Sequence, residues 1–282
     1  MPVSVVTDST CDMSREMAAK YGIVQVPLYV IWGNERFRDG IDITMEEFHR
    51  RLMSSKENPI TEEPSSDDFA VVFQKEIDAG RDVICPTIGS KLSKTFVSAS
   101  EAAQRFPGRV EVVDTETFSG GLALHAMLAA ELAKVGVPLQ EVAARLRSKL
   151  ATQRGNMVLP DVTFLGRSGR LNKAVVSLAQ MMRLSPILQL NHGVVESSTQ
   201  TNDFEKSRRQ LIGIALRGLA DTSKIRFMIG SVDAPELALE FEKEIREKLI
   251  GGCESLFVYA CGPVVATNSG PRACAVFSMP ID

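Results

Sequence analysis

Three short apolar runs rich in β-branched residues each end at a cluster of small hydroxyl and acidic residues, and this arrangement constrains the fold most strongly. The runs occupy residues 3–6, 83–86 and 110–113, and the clusters that follow them occupy residues 7–10, 87–90 and 114–117. In open α/β sheets, ligands bind in the crevice outside the carboxyl ends of the strands. The pattern therefore predicts buried strands whose polar ends form a ligand site.

The three clusters supply hydrogen-bonding groups and lack the groups on which most catalysts depend. They contain no histidine, no cysteine beside a histidine and no spacing typical of metal ligands. We therefore expect a protein that binds a ligand, with no catalytic residue, no metal and no cofactor. The five cysteines of the chain form no CxxC pair and are predicted to be free thiols.

Length and charge limit the possible partners. A chain of 282 residues with 44% hydrophobic content can fill the cores of two ordinary domains. Its net charge of -3 provides no overall attraction to nucleic acid or to an anionic membrane. The start of the sequence does not resemble a signal peptide, and no apolar stretch approaches the ~18 residues of a membrane span. We expect a cytoplasmic protein without a nucleic-acid partner or stable membrane insertion.

The first half of the chain alternates strand and helix patterns. Strands are predicted at residues 24–32, 83–86 and 110–113, with Pro27 marking an edge or a bulge. Helices are predicted at residues 14–21, from Thr44, from Asp67, and at residues 93–105 and 119–135. This alternation is typical of an α/β fold, a parallel sheet with helices on both faces, and we assign it to a domain of residues 1–154.

The second half of the chain shows a different order of predicted strands and helices. Residues 154–160 read as a crossing into a second domain, and residues 185–198 as a hairpin around residues 191–193. Helices at 203–219 and 235–249 and strands at 225–231, 255–261 and 273–279 follow. We predict a second, α+β domain of residues 155–282 with a mixed or antiparallel sheet.

Six sequence blocks resemble the DegV family of bacterial fatty-acid-binding proteins. They occupy residues 7–12, 61–65, 90–99, 112–121, 164–171 and 262–271, in the order in which the family has them. Each block is weak alone, but together they extend over nearly the whole chain. The resemblance implies a two-domain protein that encloses a long-chain fatty acid between its domains. It also implies that the protein is not an enzyme: it presents the carboxyl group to a separate ATP-dependent fatty acid kinase and carries the acyl phosphate toward phospholipid synthesis.

The same resemblance implies a set of ligand-binding residues. The fatty acid carboxylate would meet Thr61, Ser90 and the backbone near Lys91, and Arg170 would lie close to the mouth of the cavity. The other members of the predicted site are Ser93, at a helix start, Asn268, at the position of a family histidine, and Asp8, after the first strand.

Physical chemistry agrees with such a ligand. A tail of about 14–16 buried methylene groups at ~0.8 kcal/mol each contributes roughly 12 kcal/mol before the cost of ordering the chain. Hydroxyl and backbone N–H groups at a helix start replace the water lost by the carboxylate, at about 1.5–3 kcal/mol for each charge-assisted hydrogen bond. Tail burial should therefore set affinity, and the polar end should set orientation.

Departures from the family pattern keep two alternatives open. Asn268 replaces a histidine, Glu62 and Glu63 follow Thr61, and Lys94 replaces a glycine. These changes favour a binder of another carboxylated or phosphorylated amphiphile. The second alternative is a small-molecule enzyme using Asp8, Asp114 or Ser90, although the sequence offers no activating base beside a serine. Asp8 and Asp114 are also typical of residues that cap turns after strands.

Overall fold

The computed structural model describes residues 1–55, 57–219, 221–249 and 251–281. The strands are β1 (Val3–Asp8), β2 (Ile23–Val26), β3 (Tyr29–Trp32), β4 (Glu35–Arg38), β5 (Ile60–Glu62), β6 (Asp82–Thr87), β7 (Val110–Asp114), β8 (Arg154–Val158), β9 (Ser185–Asn191), β10 (Val194–Thr201), β11 (Ile225–Ser231), β12 (Ser255–Ala260) and β13 (Cys274–Pro280). The helices are α1 (Arg15–Tyr21), α2 (Met45–Ser54), α3 (Ser66–Asp78), α4 (Thr95–Ala103), α5 (Gly120–Lys134), α6 (Leu139–Lys149), α7 (Thr163–Arg167), α8 (Lys173–Met181), α9 (Phe204–Leu216), α10 (Pro235–Lys248) and α11 (Pro263–Ser269).

The first sheet has four parallel strands in the order β2-β1-β6-β7. Its side chains alternate between two cores, as the period of a strand requires. Val6 and Val83 belong to the core beneath α3 and α4, whereas Val5 and Ile84 belong to the core that contains α5 and α6. The prediction of a parallel sheet with helices on both faces is confirmed.

The second sheet has six strands in the order β10-β9-β8-β13-β11-β12. Strands β11 and β12 are parallel, and the other neighbouring pairs are antiparallel. This confirms the predicted mixed sheet. Residues 154–158, read as a crossing, are strand β8 inside this sheet, paired with β9 and β13. Strand β8 begins at Arg154, so the proposed boundary between the two domains, after residue 154, falls where the second sheet begins. We retain this domain boundary as a proposal.

A third sheet of three short antiparallel strands, in the order β4-β3-β5, was not predicted. The prediction of a single strand at residues 24–32 was wrong, because Pro27 lies between two separate strands, β2 and β3. Proline has no N–H to donate, and the N–H of Leu28 donates to Ser9 Oγ at 3.0 Å instead of to a neighbouring strand. The chain thus leaves the first sheet at Val26, and the new sheet carries Thr61 on β5.

Helix α5 joins the two halves because it packs against both large sheets. It is apolar on nearly all sides and almost wholly buried, which explains the uniform apolar run in the sequence. Gly120 permits the close approach: a Cβ atom there would lie 2.6 Å from Met228 Cβ. At the other end of α5, Glu131 pairs with the buried Arg226 of β11 at 3.0 Å. In the part of the chain that the structure describes, no helix has both the length and the apolar character needed to cross a membrane.

Candidate functional site

A largely apolar cavity lies between the two large sheets, at the carboxyl ends of β1, β6 and β7. The empty space within it and at its opening is about 580 Å³. Its apolar lining comes from both halves of the chain and includes Leu28, Ile88, Leu92, Met157, Leu159 and Val264. Each predicted polar cluster borders it, because Thr10, Ile88 and Phe118 lie in or directly after those clusters.

One end of the cavity is polar and adjoins a second space, here called the vestibule. The vestibule is lined by residues 58–61, 164, 167, 168, 170, 267 and 268 and contains about 760 Å³ of empty space. Thr61, Arg170 and Asn268 line both the cavity and the vestibule. These three side chains therefore stand where the apolar cavity meets the polar exterior.

Arg170 is the cation at this junction. Its Nε donates to the carbonyl of Leu92 at 2.9 Å, and its guanidinium also donates to Asn268 Oδ1. Burial lowers the pKa of Arg170, and the negative charge of Glu63 partly opposes this decrease. The guanidinium group stays charged at neutral pH. With five N–H donors in a fixed fork, it can bind a ligand oxygen in addition to these two protein acceptors.

Asn268 lies on α11, and its side-chain amide is engaged at both ends. Its Oδ1 accepts from Arg170, and its Nδ2 donates to the carbonyl of Val264 at 2.8 Å. The amide therefore holds the Arg170 guanidinium against α11. An asparagine can perform this positioning, although it cannot carry a proton as a histidine could.

Besides Thr61, two hydroxyl side chains from the first half of the chain line the cavity. Ser93 precedes α4, and its Oγ lies 2.9 Å from Thr95 Oγ1 and accepts from the N–H of Thr95 at 3.3 Å. Thr10 follows β1 and lines the cavity, and its hydroxyl donates to Asp8. Sequence reasoning omitted Thr10 from the site, although the residue belongs to the first polar cluster.

Asp8 lies behind the cavity wall and has no exposed surface. One oxygen accepts from the N–H and hydroxyl of Thr10, and the other from the N–H of Ile88 at 2.8 Å. Burial raises the pKa of Asp8 from 3.8 to about 6, against the opposing effect of these hydrogen bonds. Asp8 is therefore a turn-forming residue that positions two lining residues. Asp114 forms a similar turn by accepting from the N–H of Glu116.

Ser90 and Lys91 lie outside the residues that line the cavity. Ser90 is exposed, and its N–H donates to Asp114 Oδ1 at 3.1 Å. The ammonium of Lys91 donates to the carbonyl of His192 at 2.8 Å, which ties the first half to the β9–β10 hairpin. The turn after β6 thus directs Leu92 and Ser93 toward the cavity, and the geometry gives no support to a ligand contact by Ser90 or Lys91.

The charged departures from the family pattern also lie outside the lining. Glu62 pairs with Arg36 at the surface at 2.7 Å, and Lys94 is exposed. Among the substitutions that favoured a different ligand, Asn268 lines the polar end, and Glu63 acts on it electrostatically by raising the pKa of Arg170.

Two buried carboxylates from the first half hold the start of α11. Asp12 accepts from the N–H of Gly262 at 2.8 Å, and Asp39 accepts from the N–H of Val264 at 3.3 Å. Burial raises the pKa of Asp39 from 3.8 to about 6 and raises the pKa of Asp12 well above its ordinary value. They anchor the helix that carries Asn268, a role that no local sequence pattern indicates.

The candidate site is thus a largely apolar cavity between two large sheets, with a polar end. A sequence profile described as "Uncharacterised protein, DegV family" matches residues 2–280, and the chain belongs to this family. Within the described ranges, no group of histidine, cysteine, aspartate and glutamate side chains is arranged to hold a metal ion.

Comparison with individual proteins gives the same family. A DegV domain-containing protein of Deinococcus radiodurans is 27% identical, over 100% of this chain and 99% of that protein. A fatty-acid-binding DegV family protein of Thermus thermophilus is 30% identical, with a TM-score of 0.91 over 99% of this chain and 100% of the other. A Thermotoga maritima protein whose structure reveals a fatty acid binding function is 25% identical, with a TM-score of 0.87 over 99% of each chain.

Proposed function

We propose that this protein binds a long-chain fatty acid in the cavity and presents the carboxylate at the vestibule to a separate ATP-dependent fatty acid kinase. It then acts as the carrier of the acyl group and of the acyl phosphate. The observation that carries the proposal is the position of Thr61, Arg170 and Asn268, which line both the apolar cavity and the polar vestibule. An amphiphile with one acidic end fits this change of polarity.

The cavity matches the energetics of such a ligand. Each methylene group buried against the lining contributes ~0.8 kcal/mol, so the tail supplies most of the affinity. The carboxylate loses its water at the junction and requires charged or hydroxyl donors there. Arg170 provides a charge-assisted donor, and the hydroxyls of Thr61 and Ser93 provide neutral ones.

Presentation to a partner enzyme is supported by where the polar end lies. A carboxylate at Arg170 adjoins the vestibule, so it is reachable from outside while the tail stays enclosed. Arg167 also lines the vestibule, and its guanidinium donates to Asn58 and lies 5.4 Å from the Phe164 ring centroid. Two guanidinium groups near the same opening suit the oxygens of a phosphate formed on the carboxyl group.

The same guanidinium pair favours one alternative, a binder of another phosphorylated amphiphile whose head group fills the vestibule. The small-molecule enzyme has less support. The carboxylates of Asp8 and Asp114 are engaged in turns after strands, and Ser90 lies outside the cavity.

Binding is tested by delipidating the purified protein and titrating it with palmitate, with native mass spectrometry to count bound lipid. We expect one lipid per chain. Arg170→Gln removes a charged donor worth about 1.5–3 kcal/mol and should weaken binding roughly 10- to 150-fold. Arg145→Gln is the control, because Arg145 pairs with Glu141 on the surface of α6. Absence of a saturable lipid complex would contradict the proposal.

The carrier role needs a second measurement. The loaded protein is incubated with a purified bacterial fatty acid kinase and ATP, and acyl phosphate is trapped by hydroxylamine as the hydroxamate. We expect product only when kinase, ATP and loaded protein are all present. Tight palmitate binding without phosphorylation, while the kinase modifies the acid on its own binding protein, would contradict the carrier role.

A further inference from the structure

We propose that Phe118 closes the deep end of the cavity and sets the longest acyl chain that the protein accepts. This inference rests on the proposed function, because it concerns the far end of the same fatty acid. Phe118 follows the polar cluster after β7 and precedes α5, and its side chain lines the cavity. It is not one of the residues that the cavity shares with the vestibule.

Strand β8 and the segment that follows it, as far as α7, border three spaces in succession. Leu159, just beyond its end, and Met157 line the cavity, whereas Gly155 lines a further space of about 400 Å³, here called the rear pocket. Residues two apart on a strand lie on the same face, roughly 7 Å from each other. Beyond Leu159 the chain continues to α7, which carries the vestibule residues Phe164 and Arg167. The order along this line is therefore rear pocket, cavity and vestibule.

Phe118 stands between the cavity and the rear pocket. Its neighbour Thr117 lines the rear pocket, so the backbone at this point forms the boundary between the two spaces. The Phe118 ring packs edge-on against Phe277, with ring centroids 5.4 Å apart and an interplanar angle of 87°. Phe277 in turn packs on Gly155, where an added Cβ would lie 2.9 Å from Phe277 Cε1. The Phe118 ring thus borders the cavity, and Phe277 and Gly155 support it from behind.

The two spaces differ in polarity, and this difference makes the limit sharp. The rear pocket is lined by polar groups that include Glu116, Gln153, Asn191 and His192. A methyl terminus that passed Phe118 would displace water from these groups without replacing its hydrogen bonds, which is unfavourable. Affinity should therefore rise by about fourfold with each added methylene, equivalent to ~0.8 kcal/mol, and then fall once the chain end reaches the ring.

Replacing Phe118 with a small residue should move this limit. Phe118→Ala vacates the space that the ring fills, so the best-bound saturated acid should be longer by two or more carbons. Phe118→Leu removes less of the partition and should produce a smaller shift in the same direction. Acids shorter than the wild-type optimum should bind both variants within a few-fold of the wild type, since the polar end is unchanged.

Phe106→Ala provides a matched control. Phe106 is also half-buried and packs edge-on against another phenylalanine, Phe73, with centroids 6.3 Å apart and an angle of 84°. It packs in the core beneath α3 and α4, away from the cavity. This control therefore removes the same side chain from a similar aromatic pair without touching the binding site.

The experiment measures dissociation constants for saturated acids from twelve to twenty-two carbons with the wild type and these variants. A longer optimum in Phe118→Ala, with none in Phe106→Ala, supports the inference. An unchanged optimum in Phe118→Ala and Phe118→Leu overturns it while leaving fatty acid binding intact. If no acid binds the wild type, the proposed function itself fails. Circular dichroism checks folding, and if Phe118→Ala does not fold, the optimum of Phe118→Leu decides.

Discussion

Replacing Asp39 with asparagine should change how the stability of this protein depends on pH. Asp39 Oδ2 accepts from Ser9 Oγ at 2.8 Å, Oδ1 accepts from the N–H of Val264, and only 5% of the residue is exposed. Burial raises the pKa of Asp39 from 3.8 to about 6, and the charge of Asp8 raises it further, while the two hydrogen bonds oppose the increase. An asparagine can accept from Val264 and donate to Ser9 Oγ, so the substitution keeps the geometry and removes the charge.

The sign of the effect follows from proton binding in the two states. Between the ordinary pKa of 3.8 and the folded value of about 6, the folded protein holds a proton on Asp39 that the unfolded chain has released. The stabilisation is therefore complete below the ordinary pKa and is lost as the pH rises through 6. The whole shift corresponds to about 3 kcal/mol at 1.36 kcal/mol per pKa unit, and to about 2 kcal/mol between about pH 4.5 and about pH 7.

Urea unfolding of the wild type and Asp39→Asn at several pH values measures this quantity. Asp8 and Asp12 titrate in both proteins, so the difference between the free energies of unfolding of wild type and variant reports Asp39 together with its electrostatic coupling to these two carboxylates. That difference should move in favour of the variant by about 2 kcal/mol from about pH 4.5 to about pH 7. Asp42→Asn is the control, because Arg38 holds the pKa of the exposed Asp42 at about 2, outside this window. A difference for Asp39→Asn that stays constant with pH would refute the reasoning.

Three further predictions concern packing, the polar end and the thiols. Gly120→Ala forces a Cβ atom against β11 and should lower the free energy of unfolding by about 1–3 kcal/mol. Gly213→Ala is the control: a Cβ atom there meets open space on α9, and because alanine favours a helix more than glycine does, the free energy of unfolding should rise by roughly 1 kcal/mol. Asn268→Ala should weaken palmitate binding about 2- to 12-fold, and the effect should shrink in an Arg170→Gln background because Asn268 acts through Arg170. Equal effects of Asn268→Ala in both backgrounds would contradict that role of Asn268. A thiol reagent should modify Cys253 in the native protein and leave the four buried cysteines unmodified until the protein unfolds. Rapid labelling of those four cysteines in the native protein would contradict their burial.

Elements whose signal is local could be predicted from the sequence. Helix α2 begins after Thr44, whose side chain accepts from the N–H of Glu47, and α3 begins after Ser65 in a reciprocal cap with Asp68. Strand β11 has the predicted bounds. In these segments, capping residues and apolar periodicity agree with the tertiary structure.

Strand β8 shows what could not be predicted. Its sequence contains Arg154, Gly155 and Asn156, which have no strand preference, and it forms because it pairs with β9 and with β13 near the end of the chain. Tertiary pairing overrides weak local propensity in such a strand. The short helices α7 and α11 are similar cases, because neighbouring elements define both of them.

The candidate site also has features that the sequence could predict and features that depend on the tertiary structure. The polar strand ends predicted where in the fold a site would lie, the family resemblance implied Thr61, Ser90, Lys91 and Arg170, and the predicted helix start suggested Ser93. Which residues of a turn line the cavity depends on the directions of their side chains within that turn. After β6, Leu92 and Ser93 face the cavity and Ser90 does not, and a sequence pattern contains no information about that choice.

We propose that an acyl chain lies in the cavity with its acidic end at the vestibule. A crystal structure of the protein with palmitate brominated at its terminal carbon tests this placement, because anomalous scattering locates the bromine. We expect the bromine beside Phe118 and a carboxylate oxygen within hydrogen-bonding distance of Arg170 or Thr61. Bromine in the vestibule, or no acyl density between the two large sheets, would contradict the claim.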